Sequence, residues 1–136
     1  MSARSKSRKR ALDILYEADL RSASPLETLA ARSAQSDPPV NEYTRDLVRD
    51  VAEHQKRIDG LIAEHAEGWT LERMPAVDRN ILRIAVLEMV WRDDVPDRVA
   101  IDEAVELAKS VSTDRSPAFV NGLLASLLDV KPAAAD

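Results

Sequence analysis

At 136 residues the chain has the length of one domain with room for a core, and its lack of cysteine excludes disulfides, thiolate metal sites and thiol nucleophiles. Hydrophobic residues make up 45 % but aromatic residues only 4 %, so Ala, Leu, Val and Ile must build the interior, a balance that favours helices over sheets. The net charge of −5 hides an asymmetry: Arg4, Lys6, Arg8, Lys9 and Arg10 open the chain without an acid, which leaves −10 on the rest and excludes a generic nucleic-acid coat.

Helix one is expected from about Ser7 to Arg21, with Ala11, Ile14, Leu15 and Ala18 at helical spacing behind a basic arm over residues 1–7. Ser24 as N-cap, Pro25 at the first helical position and Glu27 closing a capping box start a short second helix to about Ala34. Ser36-Asp37-Pro38-Pro39 reads as a loop, because two prolines cannot continue a helix. The third helix runs from about Glu42 to Ala66 on a seam of Tyr43, Leu47, Val51, His54, Ile58, Leu61 and His65, and Gly68 is placed to end it. A single turn near Leu71 counts as the fourth element.

Pro75 opens the fifth helix, apolar on nearly all sides from Ile81 to Trp91 and therefore expected to be central. Ile101, Ala104, Val105, Ala108 and Val111 define the sixth. Ser116-Pro117 repeats the cap-plus-proline signal for a seventh that ends near Asp129, with a disordered tail over about 130–136. No strand and no internal repeat is expected. The reading is all-α: seven helices in two packed halves, divided near Gly68, forming one domain. The longest apolar run, within Ile84 to Trp91, is broken by Glu88 and too short for a bilayer, and no signal-peptide core follows the basic start. A cytoplasmic protein without a membrane span is expected.

The basic start suits phosphate contacts, which supply affinity rather than sequence choice, although a solvated tail has the same composition. On helix one, Tyr16 and Leu20 lie away from the apolar stripe; they read as a partner surface or as cover for a neighbouring loop. On the last helix, Val120, Leu123, Leu124 and Leu127 form the core stripe and Gly122 projects almost opposite. A glycine there costs about 1 kcal/mol against alanine and saves no core volume, which suggests close approach from outside. Phe119, the sole phenylalanine, flanks it and could stack on an unpaired base, worth about 1–3 kcal/mol, or fold over a helix junction. Asp78 complements a helix dipole in a first turn.

Catalysis finds little support. Asp102, Glu103 and Glu106 lie on the polar side of an amphipathic helix, with Lys109 near enough to pair with Glu106. His54 and His65 have no further ligands for zinc, and no glycine-rich phosphate loop or nucleophile–base motif occurs. No enzyme activity, metal or cofactor is expected.

Three segments stand in fixed order: Val77-Asp78-Arg79-Asn80-Ile81-Leu82-Arg83, then Val99-Ala100-Ile101-Asp102-Glu103-Ala104-Val105, then Phe119-Val120-Asn121-Gly122. With the basic start, they resemble the NusB family of transcription antitermination factors over about Arg8 to Leu128. The resemblance implies a non-catalytic, all-helical factor that holds the single-stranded boxA element of nascent ribosomal RNA with the small-subunit ribosomal protein NusE, so that RNA polymerase reads through terminators. It places the basic start and Phe119 toward RNA, with Gly122 and Arg115 beside them as further RNA-facing candidates, and Tyr16, Asp78 and Arg79 toward the ribosomal protein, with Leu20 next to Tyr16 on the same face of helix one. Many relatives have an acid where this chain has Arg115, so the loop from Ser112 to Ser116 is less negative here and RNA affinity is expected to be higher and less selective. Similar helical domains precede certain ribosomal RNA cytosine methyltransferases, and a structural adaptor without RNA binding is a further alternative. Family members include monomers and homodimers, and the sequence leaves that choice open.

Overall fold

The computed structural model describes residues 2–35 and 39–134, and among these it contains six α-helices, one 3-10 turn and no strand. The helices are α1 (Ala3–Leu20), α2 (Pro25–Gln35), α3 (Glu42–His65), α4 (Ala76–Trp91), α5 (Asp97–Val111) and α6 (Ser116–Asp129). The turn expected near Leu71 is the 3-10 turn Leu71–Arg73, which accounts for six helices where seven elements were read. Most of the Ser36-to-Pro39 loop lies outside the described residues.

The chain divides into two compact units, Met1–Glu53 and His54–Asp136. The division falls inside α3 rather than near Gly68, because α3 is one unbroken helix whose apolar seam supplies both units. In the first unit α1 begins four residues earlier than expected. Ser2 is its N-cap, with its hydroxyl accepting from the Ser5 N–H at 3.0 Å, so the basic start is helical from Ala3. Ala11, Leu12, Ile14, Leu15 and Ala18 are buried. Arg32 of α2 pairs with Glu17 of α1 through its Nε at 2.7 Å.

Helix α1 ends in a Schellman arrangement: Ala23 N–H donates to the Ala18 carbonyl at 2.8 Å and Ser22 N–H to that of Asp19 at 3.2 Å. Ser22 takes the left-handed conformation this requires, at φ 52°. Ser24 then starts α2 as expected, its hydroxyl accepting from the Leu26 and Glu27 N–H groups. Asn41 caps α3, accepting from Thr44 N–H at 2.9 Å, and its amide donates to Ser7 of α1 at 2.8 Å.

The second unit is built on α4, whose residues are buried without a break from Asn80 to Val90. Helix α5 packs on both α4 and α6. The expected stripe of α6 is buried as read: Val120, Leu123, Leu124 and Leu127. Arg83, buried in α4, donates to both carboxylate oxygens of Asp59 in α3 at 2.8 and 3.0 Å, a bidentate geometry that offsets the cost of desolvating the pair. Gly68 follows α3 with φ 79°, the left-handed conformation expected of its cap. No helix among the described residues is long and apolar enough to cross a membrane.

Candidate functional site

Helical geometry sorts the five basic residues that open α1. Arg4 and Arg8, one turn apart, both lie over the ring of Tyr43 in α3, with guanidinium carbons 4.2 and 5.8 Å from its centroid. Arg8 is only 3 % exposed, so this unit's own packing has taken up the residue, and it has little surface for phosphate. Lys9 pairs with Asp13 at 2.7 Å. Lys6 and Arg10, again one turn apart, are exposed. Expected phosphate contacts from the basic start therefore reduce mainly to Arg4, Lys6 and Arg10. Further along α1, Leu20 is 61 % exposed and Tyr16 half-buried, which leaves an apolar surface beside a ring.

In the second unit the Asp78 carboxylate does not face outward. It is 3 % exposed and accepts from the hydroxyls of Ser112 at 2.6 Å and Ser116 at 2.8 Å. The α5–α6 loop thus holds the carboxylate and leaves it little surface of its own, although Asp78 still lines a hollow. Ser116 departs from expectation: it is the first residue of α6, not its cap, and its hydroxyl donates to the buried Asp78 carboxylate while its oxygen accepts from the Thr113 N–H at 3.3 Å. Arg79 is half-exposed and donates to the Leu71 and Met74 carbonyls at 2.7 and 3.3 Å, closing the 3-10 turn.

Phe119 and Gly122 stand on the outer side of α6. A side chain added at Gly122 would meet nothing within 4 Å, so no neighbouring helix accounts for the glycine. Phe119 is half-exposed and is joined by Trp69, with ring centroids 6.3 Å apart and planes tilted by 53°. Trp69 is 51 % exposed although its backbone is held, its N–H donating to the Ala66 carbonyl at 2.7 Å. The two rings border two hollows of about 320 and 330 Å³. Arg115 is exposed and lines the first, and Gly122 lines the second. Among the described residues no group of three or more His, Asp or Glu side chains could hold a metal ion.

The first unit by itself offers cations for phosphates, and the second by itself offers open rings for planar groups. Residues 5–129 match the NusB family. The chain belongs to the NusB family. It is 70 % identical over 112 residues to the transcription antitermination protein NusB of Frankia casuarinae, covering 82 % of this chain and 83 % of that one. It is 56 % identical to the NusB of Thermobifida fusca, over 96 % of this chain and 92 % of that one. Among solved structures, T. maritima NusB has a TM-score of 0.84 at 31 % identity, covering 98 % of this chain and 94 % of that one. A chain in the crystal structure of antitermination factors NusB and NusE in complex with dsRNA has a TM-score of 0.81 at 27 % identity, over 93 % and 96 %. NusB proteins are non-catalytic antitermination factors, which agrees with the reading of Asp102, Glu103 and Glu106 as a helix's polar side; Lys109 and Glu106 do pair, at 3.4 Å.

Two site residues of this NusB-family chain escape a sequence reading. Tyr43 looks like one more member of the α3 seam, and nothing in its spacing says that two arginines of α1 lie over it. Trp69 follows Gly68 at a helix end, a place where a large ring has no neighbours in its own element to cover it. That position was its one available signal.

Proposed function

We propose that this chain is an RNA- and protein-binding antitermination factor that holds the boxA element of nascent ribosomal RNA together with NusE, so that RNA polymerase carrying the complex reads through terminators. The whole chain serves as one RNA-binding domain and performs no chemistry. The likeness to a NusB solved with NusE and double-stranded RNA carries this reading. Exposed cations on α1 and open rings beside Gly122 support it, because phosphates need the first and unpaired bases use the second. Tyr16 and Leu20 form the NusE-facing surface, with Arg79 beside the 3-10 turn as a further contact. Asp78 contributes by fixing the loop that carries Arg115.

Anisotropy of a labelled single-stranded boxA-like RNA, with and without NusE, tests the proposal. A scrambled strand and a duplex of the same sequence serve as competitors. Binding should be tighter for the boxA-like strand and tighter again with NusE. Tyr16→Asp should weaken NusE binding by roughly tenfold or more, about 1.4 kcal/mol, and leave RNA binding without NusE unchanged. Equal affinity for the scrambled strand, together with no effect of NusE, would reject the reading.

A further inference from the structure

We infer that Trp69 and Phe119 form a divided stacking ridge on which two neighbouring unpaired RNA bases lie, one in each hollow. The inference rests on the RNA reading above and adds Trp69, a second base and the separate use of two hollows. At a tilt of 53° the rings cannot both lie flat against one planar base, so they do not make a sandwich. Each ring can still stack on its own base, and each hollow falls at the lower end of the range of about 300–1,000 Å³ usual for small-molecule sites.

The two hollows differ chemically. Met74 and Pro75 give the first its apolar floor, and the exposed Arg115 supplies a cation for a phosphate. Asp78 also lines it, but its carboxylate is buried and engaged by two serine hydroxyls. In the second, Gly122 leaves the surface of α6 bare, so a base can approach the backbone. His65 Nδ1 and Ser126 Oγ, 2.7 Å apart, form a polar pair in its lining. The exposed Glu67 borders it too; a carboxylate repels phosphate but accepts from a base amino group, so the strand's phosphates should run toward Arg115.

Trp69→Ala and Phe119→Ala in the full chain would be titrated with intact single-stranded boxA-like RNA and with a series carrying one abasic nucleotide at each position. Each variant should lose roughly 5- to 150-fold in affinity for the intact strand, the equivalent of one stacked base. Trp69→Phe should restore most of the loss, because it keeps a ring. The loss from Trp69→Ala should vanish when one particular base is missing, and that from Phe119→Ala when the adjacent base is missing. Tryptophan emission of the unaltered chain gives a second readout that needs no variant: intact RNA should quench it, and RNA lacking the Trp69 base should quench it less. Trp91, stacked on His54 at 4.5 Å, should contribute a constant background. If both losses vanish at the same abasic position, the ridge takes one base and the inference fails. It also fails if Trp69→Ala leaves RNA affinity unchanged, including the case where NusE affinity falls instead and the ridge is a protein contact. Should the unaltered chain bind the scrambled strand as tightly as the boxA-like strand and NusE have no effect, the parent reading has failed, which the anisotropy test above reports before any variant is used.

Discussion

Lys6 and Arg8 carry the same charge two residues apart on one helix, yet one is turned to solvent and the other is 3 % exposed. Their substitutions should therefore differ in kind. Lys6→Ala with Arg10→Ala should flatten the dependence of log K on log salt by about 1.4, or about 0.7 for each lost phosphate contact on a single strand, and leave the denaturation midpoint in place. Arg8→Ala should instead lower stability by about 1–3 kcal/mol, because a packed side chain is lost with its charge. Asp78 follows the same logic. Asp78→Ala removes the acceptor of two hydroxyls and should cost about 1.5–3 kcal/mol, read from the shift of a urea midpoint. Asp78→Lys places a cation in the same buried space and should cost more, so a loss of NusE binding in that variant would report unfolding and not a broken contact.

Local chemistry accounts for most element boundaries. Proline positions, the Ser24 cap and the apolar spacing of α3, α5 and α6 were legible because each depends on neighbours within a turn or two. Ser22 is an exception with a testable consequence. It occupies a left-handed position at the end of α1 that glycine fills at lower cost, so Ser22→Gly should raise stability by about 1 kcal/mol in thermal or chemical denaturation. Gly122 is the converse case, a glycine inside a helix with nothing near its missing Cβ. Gly122→Ala should gain about 1 kcal/mol of stability while RNA affinity falls. Changes of opposite sign would identify a position kept for contact rather than for folding. The start of α6 differs from the sequence reading for a tertiary reason: Ser116 has the type and place of a cap, but its hydroxyl is tied to the Asp78 carboxylate of α4 and to the Thr113 N–H, and the helix begins at Ser116 itself.

Charge has its meaning at the level of the whole chain. A net −5, with an acid-free group of five of the 19 cations at the start of α1, gives little general attraction to polyanions, so an excess of random duplex DNA should compete poorly for bound boxA-like RNA near physiological salt. Competition as strong as that of unlabelled RNA would mean that charge alone drives binding. The two compact units divide within α3, and no composition shift marks that point, since one continuous apolar seam serves both. Periodicity, caps and prolines were sufficient for an all-helical chain, for the buried character of α4 and for an outward-facing Gly122, because these are properties of single helices. Motif order was sufficient for the family. The tertiary structure alone decided that Asp78 turns inward to Ser112 and Ser116, that Arg4 and Arg8 share the Tyr43 ring, and that Trp69 stands beside Phe119. Each of these joins residues on different elements, and spacing along a chain fixes directions around one helix axis but not which other helix or turn lies across from it.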